Sequence, residues 1–311
     1  MTDEIKVVGL GLATCDVLIR LKEMPTWEQG APMANFRFEG GGPVGTAMAA
    51  AAKLGAKAGF IGMAGNDEVA GMKMQSLRES GVDLSRMVYH DAPEEQVVIV
   101  YVHAETGERV FSMPEGWGHH TLGVEDLDRD YITSADYLHL DGTHFTAALE
   151  AAKWMHEAGK TVMLDGHKAD WPIENSTRVL IGHTDILISG SGFAKGLTGI
   201  DDIWEAGEEI LKMGPRIFVQ TEGKRGSFTV GRDDRFHMPA FEVDVVDTTG
   251  AGDVFHGAYL VGLLRGWDLR RITLFATAVS AIKCGKLGGR AGIPRFDAVM
   301  AFLRKRGLGF A

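Results

Sequence analysis

The hydrophobic period of the chain changes repeatedly. Residues 5–11 form a near-continuous apolar run closed by glycine, which predicts a buried strand and a turn, and residues 58–63 read the same way. Between them, residues 39–46 open an alanine-rich helix that ends near Leu54 and Gly55, and Asn66-Asp67 caps a helix running through Arg78. Residues 97–102 and 109–113 flank Glu105-Thr106-Gly107, a hairpin signal. Neither charge nor proline blunts residues 97–100, so this edge is expected to pack on something, a second subunit included. From Tyr137 onward, strands (137–140, 161–164, 186–188, 216–219) alternate with helices (near 146–157 and 202–213). The last third is helical over 268–284 and 294–304, around a glycine-rich loop at 285–292. The alternation predicts an α/β fold: a doubly wound, mostly parallel sheet with helices on both faces. Ligands then belong at the carboxyl ends of the strands, near 141–144, 165–167, 221–226 and the opening stretch.

One stretch concentrates the chemistry. Residues 241–245 alternate apolar and acidic side chains, as a half-buried strand does, and Val254, Ala258 and Val261 keep helical spacing. The turn between them, Asp247-Thr248-Thr249-Gly250-Ala251-Gly252-Asp253, therefore sits at a helix N-terminus, where unpartnered N–H groups and the helix dipole favour an anion. Gly250 and Gly252 let that backbone approach a phosphate. Asp253 places a carboxylate where it could accept the proton of a hydroxyl attacking a phosphoryl group. The plainer reading is a capped helix start, with Thr248 or Thr249 as cap.

Composition narrows the setting. In 311 residues, 45% apolar content is ample for a packed core, and the formal charge of -10 argues against a nucleic-acid or anionic-membrane surface. Cys15 and Cys284 have no metal-ligand spacing and suit a reducing cytoplasm; the acidic N-terminus is no signal peptide, and no apolar run is long enough to span a bilayer. The adjacent His119-His120 and the absence of HExxH give no metal motif, and Met63, Met72 and Met74 read as core. Gly9-Leu10-Gly11 lacks the third glycine of a dinucleotide-binding turn, and no P-loop or HRD-type catalytic loop occurs.

The string from Asp247 to Gly257, together with the Gly41-Gly42 helix start, resembles the ribokinase-like (PfkB) carbohydrate kinases over nearly the full chain. The resemblance implies that Asp253 is the catalytic base and that the amides of Gly250, Ala251 and Gly252 form the anion hole. It implies sugar binding by Asp16, Gly41 and Gly42, with Thr46 where the family often has asparagine. By their place on strand-end loops, Asp141, His144 and Asp165 could also meet the sugar, and Asp141 and Asp165 read equally as helix caps. Thr221, Gly223, Lys224 and Gly226 match a nucleotide-binding turn, and 283–294, with Lys283 and Gly289, resembles the segment flanking the adenine. A monovalent cation, K+, is implied near Asp247 and Thr249. The cofactors implied are ATP and Mg2+, although Gly190-Ser191-Gly192-Phe193 replaces the family's Asn-x-x-Glu motif, leaving Mg2+ to the ATP phosphates, water and other acids.

Within the family the C-terminal half is most similar to the sulfofructose kinases, but no arginine stands at 141–144 to meet a sulfonate; His144 or Lys168 would have to serve. Residues 14–39 and 96–112 would form a β lid over a core of 1–13, 40–95 and 113–311. Lids of this family often pair between subunits, so a homodimer through the lid is expected. The implied reaction is transfer of the ATP γ-phosphoryl group to a hydroxyl of a small sugar (ketose, furanose or sugar acid). Anion-hole donors are worth roughly 3 kcal/mol each by analogy with oxyanion holes. The alternatives are a nucleoside kinase of the same fold, with Trp27, Phe36 and Phe38 in the lid, and a catalytically silent sugar-binding regulator.

Overall fold

The computed structural model describes residues 4–115, 117–118, 120–167 and 173–309. The chain runs β1 (Val7–Leu10), β2 (Thr14–Leu21), β3 (Met33–Gly41), α1 (Pro43–Lys53), β4 (Ala58–Ile61), β5 (Met63–Ala64), α2 (Glu68–Ser80), β6 (Val88–Tyr89), β7 (Val97–His103) and β8 (Arg109–Ser112). It continues through α3 (Arg129–Ser134), β9 (Tyr137–Leu140), α4 (Phe145–Glu157), β10 (Thr161–Asp165), α5 (Asn175–Ile181), β11 (Ile186–Ser189), α6 (Phe193–Thr198), α7 (Ile203–Leu211) and β12 (Ile217–Thr221). It closes with β13 (Ser227–Gly231), β14 (Arg235–Met238), α8 (Ala251–Leu264), α9 (Leu269–Cys284) and α10 (Phe296–Arg304).

Eight strands form the main sheet in the order β14-β13-β12-β11-β10-β9-β1-β4. The pairs from β12 to β4 are parallel, and the β13–β14 hairpin extends the sheet antiparallel. Alternate strand residues serve opposite faces. Ile186 and Ile188 join the core built with α1, α8 and α9, whereas Leu187 joins the core built with α4 and α7. Both faces are covered, which is why these strands read as apolar runs without alternation. Helix starts follow the expected chemistry: Asp67, Asp128, Asp202 and Asp268 each accept a first-turn N–H. No helix among the described residues is long and apolar enough to cross a membrane.

After β1 the chain pairs β4 on one side and returns to β9 on the other. The crevice of a wound sheet opens at such a reversal. Asp141 marks it: following β9, its Oδ2 accepts the N–H of Leu12, which follows β1, at 2.8 Å.

A second sheet, β3-β2-β7-β8, combines residues from both ends of the first third of the chain. Here the edge expected at 97–100 is corrected. Strand β7 is interior, paired with β2 and β8, and Val98, Val100 and Val102 pack on Leu18 and Trp117; the outer strands are β3 and β8. A second correction concerns residues 241–245, which form no strand. Burial follows the alternation only over its first part: Phe241, set on Phe302 at 5.1 Å, and Val243 are half-buried while Glu242 and Asp244 face solvent, but Val245 is 61% exposed. The N–H groups of Val246 and Asp247 then go to the carbonyl of Cys284 instead of to a sheet.

Candidate functional site

Helix α8 begins at a backbone turn fixed on every side. Asp247 is the fixing residue: its Oδ1 accepts from Thr249 N (2.8 Å) and Oγ1 (2.7 Å), and its Oδ2 from Gly288 N (2.8 Å). The buried Lys283 amine donates to the Asp247 carbonyl at 3.0 Å. Burial would raise the Asp247 carboxyl, but these N–H groups and Lys283 more than offset it and hold its pKa below the usual value. Gly250 takes φ +73°, and a Cβ there would stand 2.9 Å from the Cα of Gly289. The turn therefore needs glycine for conformation and for space. Gly252 faces open ground, with no atom within 4 Å of where a Cβ would lie. The Ala251 N–H is turned to the Thr248 carbonyl at 3.2 Å, whereas among the described residues no acceptor engages the N–H groups of Gly250, Gly252 and Asp253. Deeper in α8, a Cβ on Gly257 would meet the Ala47 carbonyl at 2.2 Å, which sets how closely α8 lies on α1.

Asp253 sits half-buried in the first turn of α8, and among the described residues no hydrogen bond engages its carboxylate. Loss of solvent, aided by the charge of Asp165 and opposed by His167 and Lys283, pushes its pKa up to about 7. A carboxylate so tuned is a competent proton acceptor near neutral pH.

Three more acids border this point. Asp16 on β2 lies over Gly41, whose hypothetical Cβ would stand 2.2 Å from Asp16 Oδ2, and burial lifts Asp16 to about 6 against the Thr14 hydroxyl and the Arg290 charge. Asp141 is held by the N–H groups of Leu12 and Thr143. Asp165 ends β10, accepts from His167 N at 2.7 Å and lies 3.5 Å from His256 Nδ1. Burial would raise Asp165, but His256 and His167 outweigh it and its pKa is lowered. His167 has φ +57°, uncommon for a side chain other than glycine, with Nε2 3.0 Å from the Asp141 carbonyl. His144 precedes α4, and its Nδ1 accepts the Leu122 N–H at 3.2 Å. Lys168 and His119 lie outside the described residues.

Of the positions expected to face nucleotide, Thr221, Gly223, Lys224 and Gly226 lie at the end of β12 beside that of β11, whereas Lys283 and Gly289 lie against the start of α8, the Lys283 side chain wholly buried. Thr221 Oγ1 donates to the Ser189 carbonyl (3.2 Å), and Ser191 Oγ donates to the Thr221 carbonyl (3.4 Å). Gly223 opens a short 3-10 turn carrying the exposed Lys224. Gly226, at φ +87°, approaches the Met238 carbonyl too closely for any Cβ. Among the described residues no cluster of three acids, histidines or cysteines could hold a metal ion.

A profile described as pfkB family carbohydrate kinase matches residues 5–295. The chain belongs to the pfkB family of carbohydrate kinases. It is thus a phosphotransferase acting on sugar hydroxyls. Among its relatives, the ATP-dependent ribose-1-phosphate kinase of Halopiger xanaduensis is 28% identical over 304 residues, 97% of this chain and 99% of that protein. The 5-dehydro-2-deoxygluconokinase of Clostridium perfringens is 25% identical over 287 residues, 86% of this chain and 85% of the other. A solved structure described as a putative ribokinase II from E. coli, in complex with ATP and Mg2+, shares the fold with a TM-score of 0.84 at 20% identity, covering 97% of this chain and 99% of that one.

Sequence reasoning about this carbohydrate kinase missed three buried or half-buried cations. Arg109 on β8 reaches Thr249 Oγ1 at 2.9 Å. Lys73 on α2 is wholly buried, 2.6 Å from Glu94 and bonded also to the Met63 carbonyl and Gln96, behind the strand that carries Asp16. Arg290 is 1% exposed beside Asp16 and donates from Nε to Thr46 Oγ1 at 3.3 Å, so the threonine expected to bind sugar is engaged by an arginine. The partners of Arg109 and Arg290 lie far away in sequence, and no local spacing announces such contacts.

Proposed function

We propose that this kinase transfers the γ-phosphoryl group of ATP to a hydroxyl of a small sugar, sugar acid or sugar phosphate, with Asp253 as general base. The observation that carries the reading is Asp253 in the first turn of α8, beside the open Gly250 and Gly252 amides and bordered by Asp16 and Asp165. The amides would take up charge on the equatorial oxygens, and Asp253 would receive the hydroxyl proton as the new P–O bond forms. Asp16, Asp141 and Asp165 can accept from sugar hydroxyls, and His167 would orient the acceptor between two of them.

The turn at 221–226 and the loop at 285–292 are proposed to flank the nucleotide. The open cradle at Gly252 fits a phosphate group. Mg2+, carried on the nucleotide phosphates, would neutralise their charge; Glu222 lies within the first segment, and Asp247 and Glu39 accept from backbone N–H groups of the second. K+ is proposed beside Asp247, where protein donors already occupy both carboxylate oxygens, so backbone carbonyls would supply its remaining ligands.

The β3-β2-β7-β8 sheet is proposed as a lid that excludes water from the acceptor. The exposed Met33, Phe36, Phe38, Val110 and Phe111 on its outer strands support pairing between lids of two subunits, which light scattering would register as a dimer.

The deciding experiment is ATP consumption, with Mg2+ and with or without K+, across ribose, ribose 1-phosphate, fructose, 5-dehydro-2-deoxygluconate, 2-dehydro-3-deoxygluconate, sulfofructose and nucleosides. An acceptor-dependent signal that Asp253→Asn abolishes supports the mechanism and names the substrate class. An equally active Asp253→Asn variant would remove Asp253 from the chemistry.

A further inference from the structure

The loop at 285–292 serves two places at once. On one side it walls the start of α8: Gly288 N donates to Asp247 Oδ2, and Gly289 packs against Gly250. Two residues after Gly288, Arg290 turns in the opposite direction. Its N–H donates to Glu39 Oε1 at 3.0 Å, and the next N–H, of Ala291, does the same. Its guanidinium enters a slot between the end of β3 and the start of α1. There Nη1 donates to Ser76 Oγ at 2.7 Å, Nη2 to the Gly41 carbonyl, and Nε to Thr46 Oγ1. The slot is shaped for it: a Cβ on Gly40 would stand 2.3 Å from Nη1, and one on Gly45 2.4 Å from Nη2.

Burying a guanidinium carries a desolvation penalty that an apolar side chain of similar size would avoid, and packing alone gives no reason for it. Its bonds give one. Every one ends on the ledge beneath Asp16, formed by Glu39, Gly41 and Thr46, or on the helix behind it. The fork geometry holds three acceptors in fixed relation, which a lysine cannot do.

We infer that Arg290, seated on Glu39, is a positioning residue that couples the two substrate sites. Occupation of the α8 start orders the 285–289 loop, and through Arg290 the ledge at 39–46 is set for the acceptor. The inference rests on the kinase reading above, because it requires a nucleotide at the α8 start. Arg290 itself touches neither the transferred group nor the base.

The test is amide hydrogen exchange of the full chain with and without the Mg2+ complex of AMP-PNP, comparing the native protein with Arg290→Lys and Glu39→Gln. In the native protein the nucleotide is expected to slow exchange at 250–256 and also at 40–47. In both variants slowing at 250–256 persists while that at 40–47 is lost, by about 5-fold or more if the coupling has ordinary size. The milder Glu39→Gln variant guards against a misfolded arginine variant. A purely structural role predicts faster exchange throughout the ledge, with nucleotide-induced slowing intact, and overturns the coupling. So does a native protein protected at 250–256 alone, which leaves the kinase reading standing. Absence of protection at 250–256 in the native protein removes the proposed nucleotide site at the start of α8 and the coupling with it.

Discussion

Arg109 Nη1 donates to Thr249 Oγ1 at 2.9 Å, joining the second sheet to the turn that opens α8. Thr249 passes the contact on, since its hydroxyl donates to Asp247 Oδ1. A cation from the second sheet therefore stands beside the proposed phosphate cradle. Charge-assisted hydrogen bonds of this kind are worth about 1.5–3 kcal/mol. Arg109→Met should lower kcat/KM by roughly 10- to 100-fold with little change in melting temperature. Steady-state kinetics alongside a thermal melt decide it, and an unchanged kcat/KM would show the contact to be incidental.

The raised pKa of Asp253 sets a pH profile. The base works deprotonated, so kcat/KM should fall as pH drops below about 7, with a single-proton slope. The effect on stability has the opposite sign. A carboxyl whose folded pKa is raised favours the folded state when protonated, and that contribution fades as pH rises from its unfolded value through about 7. Asp253→Asn should cost about 10²- to 10⁴-fold in rate and flatten the melting temperature between those limits. A variant whose melting temperature keeps the native pH dependence would place the raised group elsewhere.

Gly41→Ala should separate the two substrates. The added methyl meets Asp16 Oδ2 at 2.2 Å, so the carboxylate must move. An increase of about 10-fold or more in acceptor KM is expected, with ATP KM within about 2-fold, since a small displacement of a positioning group is costly. Initial rates with each substrate varied in turn would show the split, and parallel changes in both constants would count against it.

The Lys73–Glu94 pair, wholly buried at 2.6 Å, is a stability element. Removing one partner strands the other charge, which costs about 3–5 kcal/mol. Lys73→Met should therefore lower the melting temperature by about 10 °C. Replacing both, as Lys73→Met with Glu94→Leu, should recover much of the loss, because apolar residues of similar volume often serve as well as a buried pair. A double variant no better than the single would mean that the bonds of Glu94 to Gly65 and Gln96 carry the effect.

Much of this was legible from sequence because the signals were local. The buried strands, the capping Asp67, the helix starts near 202 and 268 and the glycine turn at 250–253 each announce themselves within a few residues. Residues 241–245 misled because an apolar–polar alternation reads as a strand whether or not a neighbour pairs with it, and here only Phe241 and Val243 of its apolar positions are half-buried. The β13–β14 hairpin and the short helices α5 and α6 went unread, their patterns being too brief to carry a period. The cations were illegible for another reason. Arg290 meets Glu39 and Thr46 across 251 and 244 residues, and Arg109 meets Thr249 across 140. Only the fold brings such pairs together.

Strands β2 and β7 pair in parallel, from Cys15 opposite Val97 to Leu21 opposite His103. Parallel neighbours need a crossover, and here it runs through β3, α1, β4, β5, α2 and β6, of which α1, β4 and α2 contribute to the main core. The small sheet is therefore no detachable module: its two halves share no short covalent path, and the ladder between them closes a long loop at an entropic cost. A graft from a relative that replaced either hairpin alone would have to match a ladder partner belonging to the other.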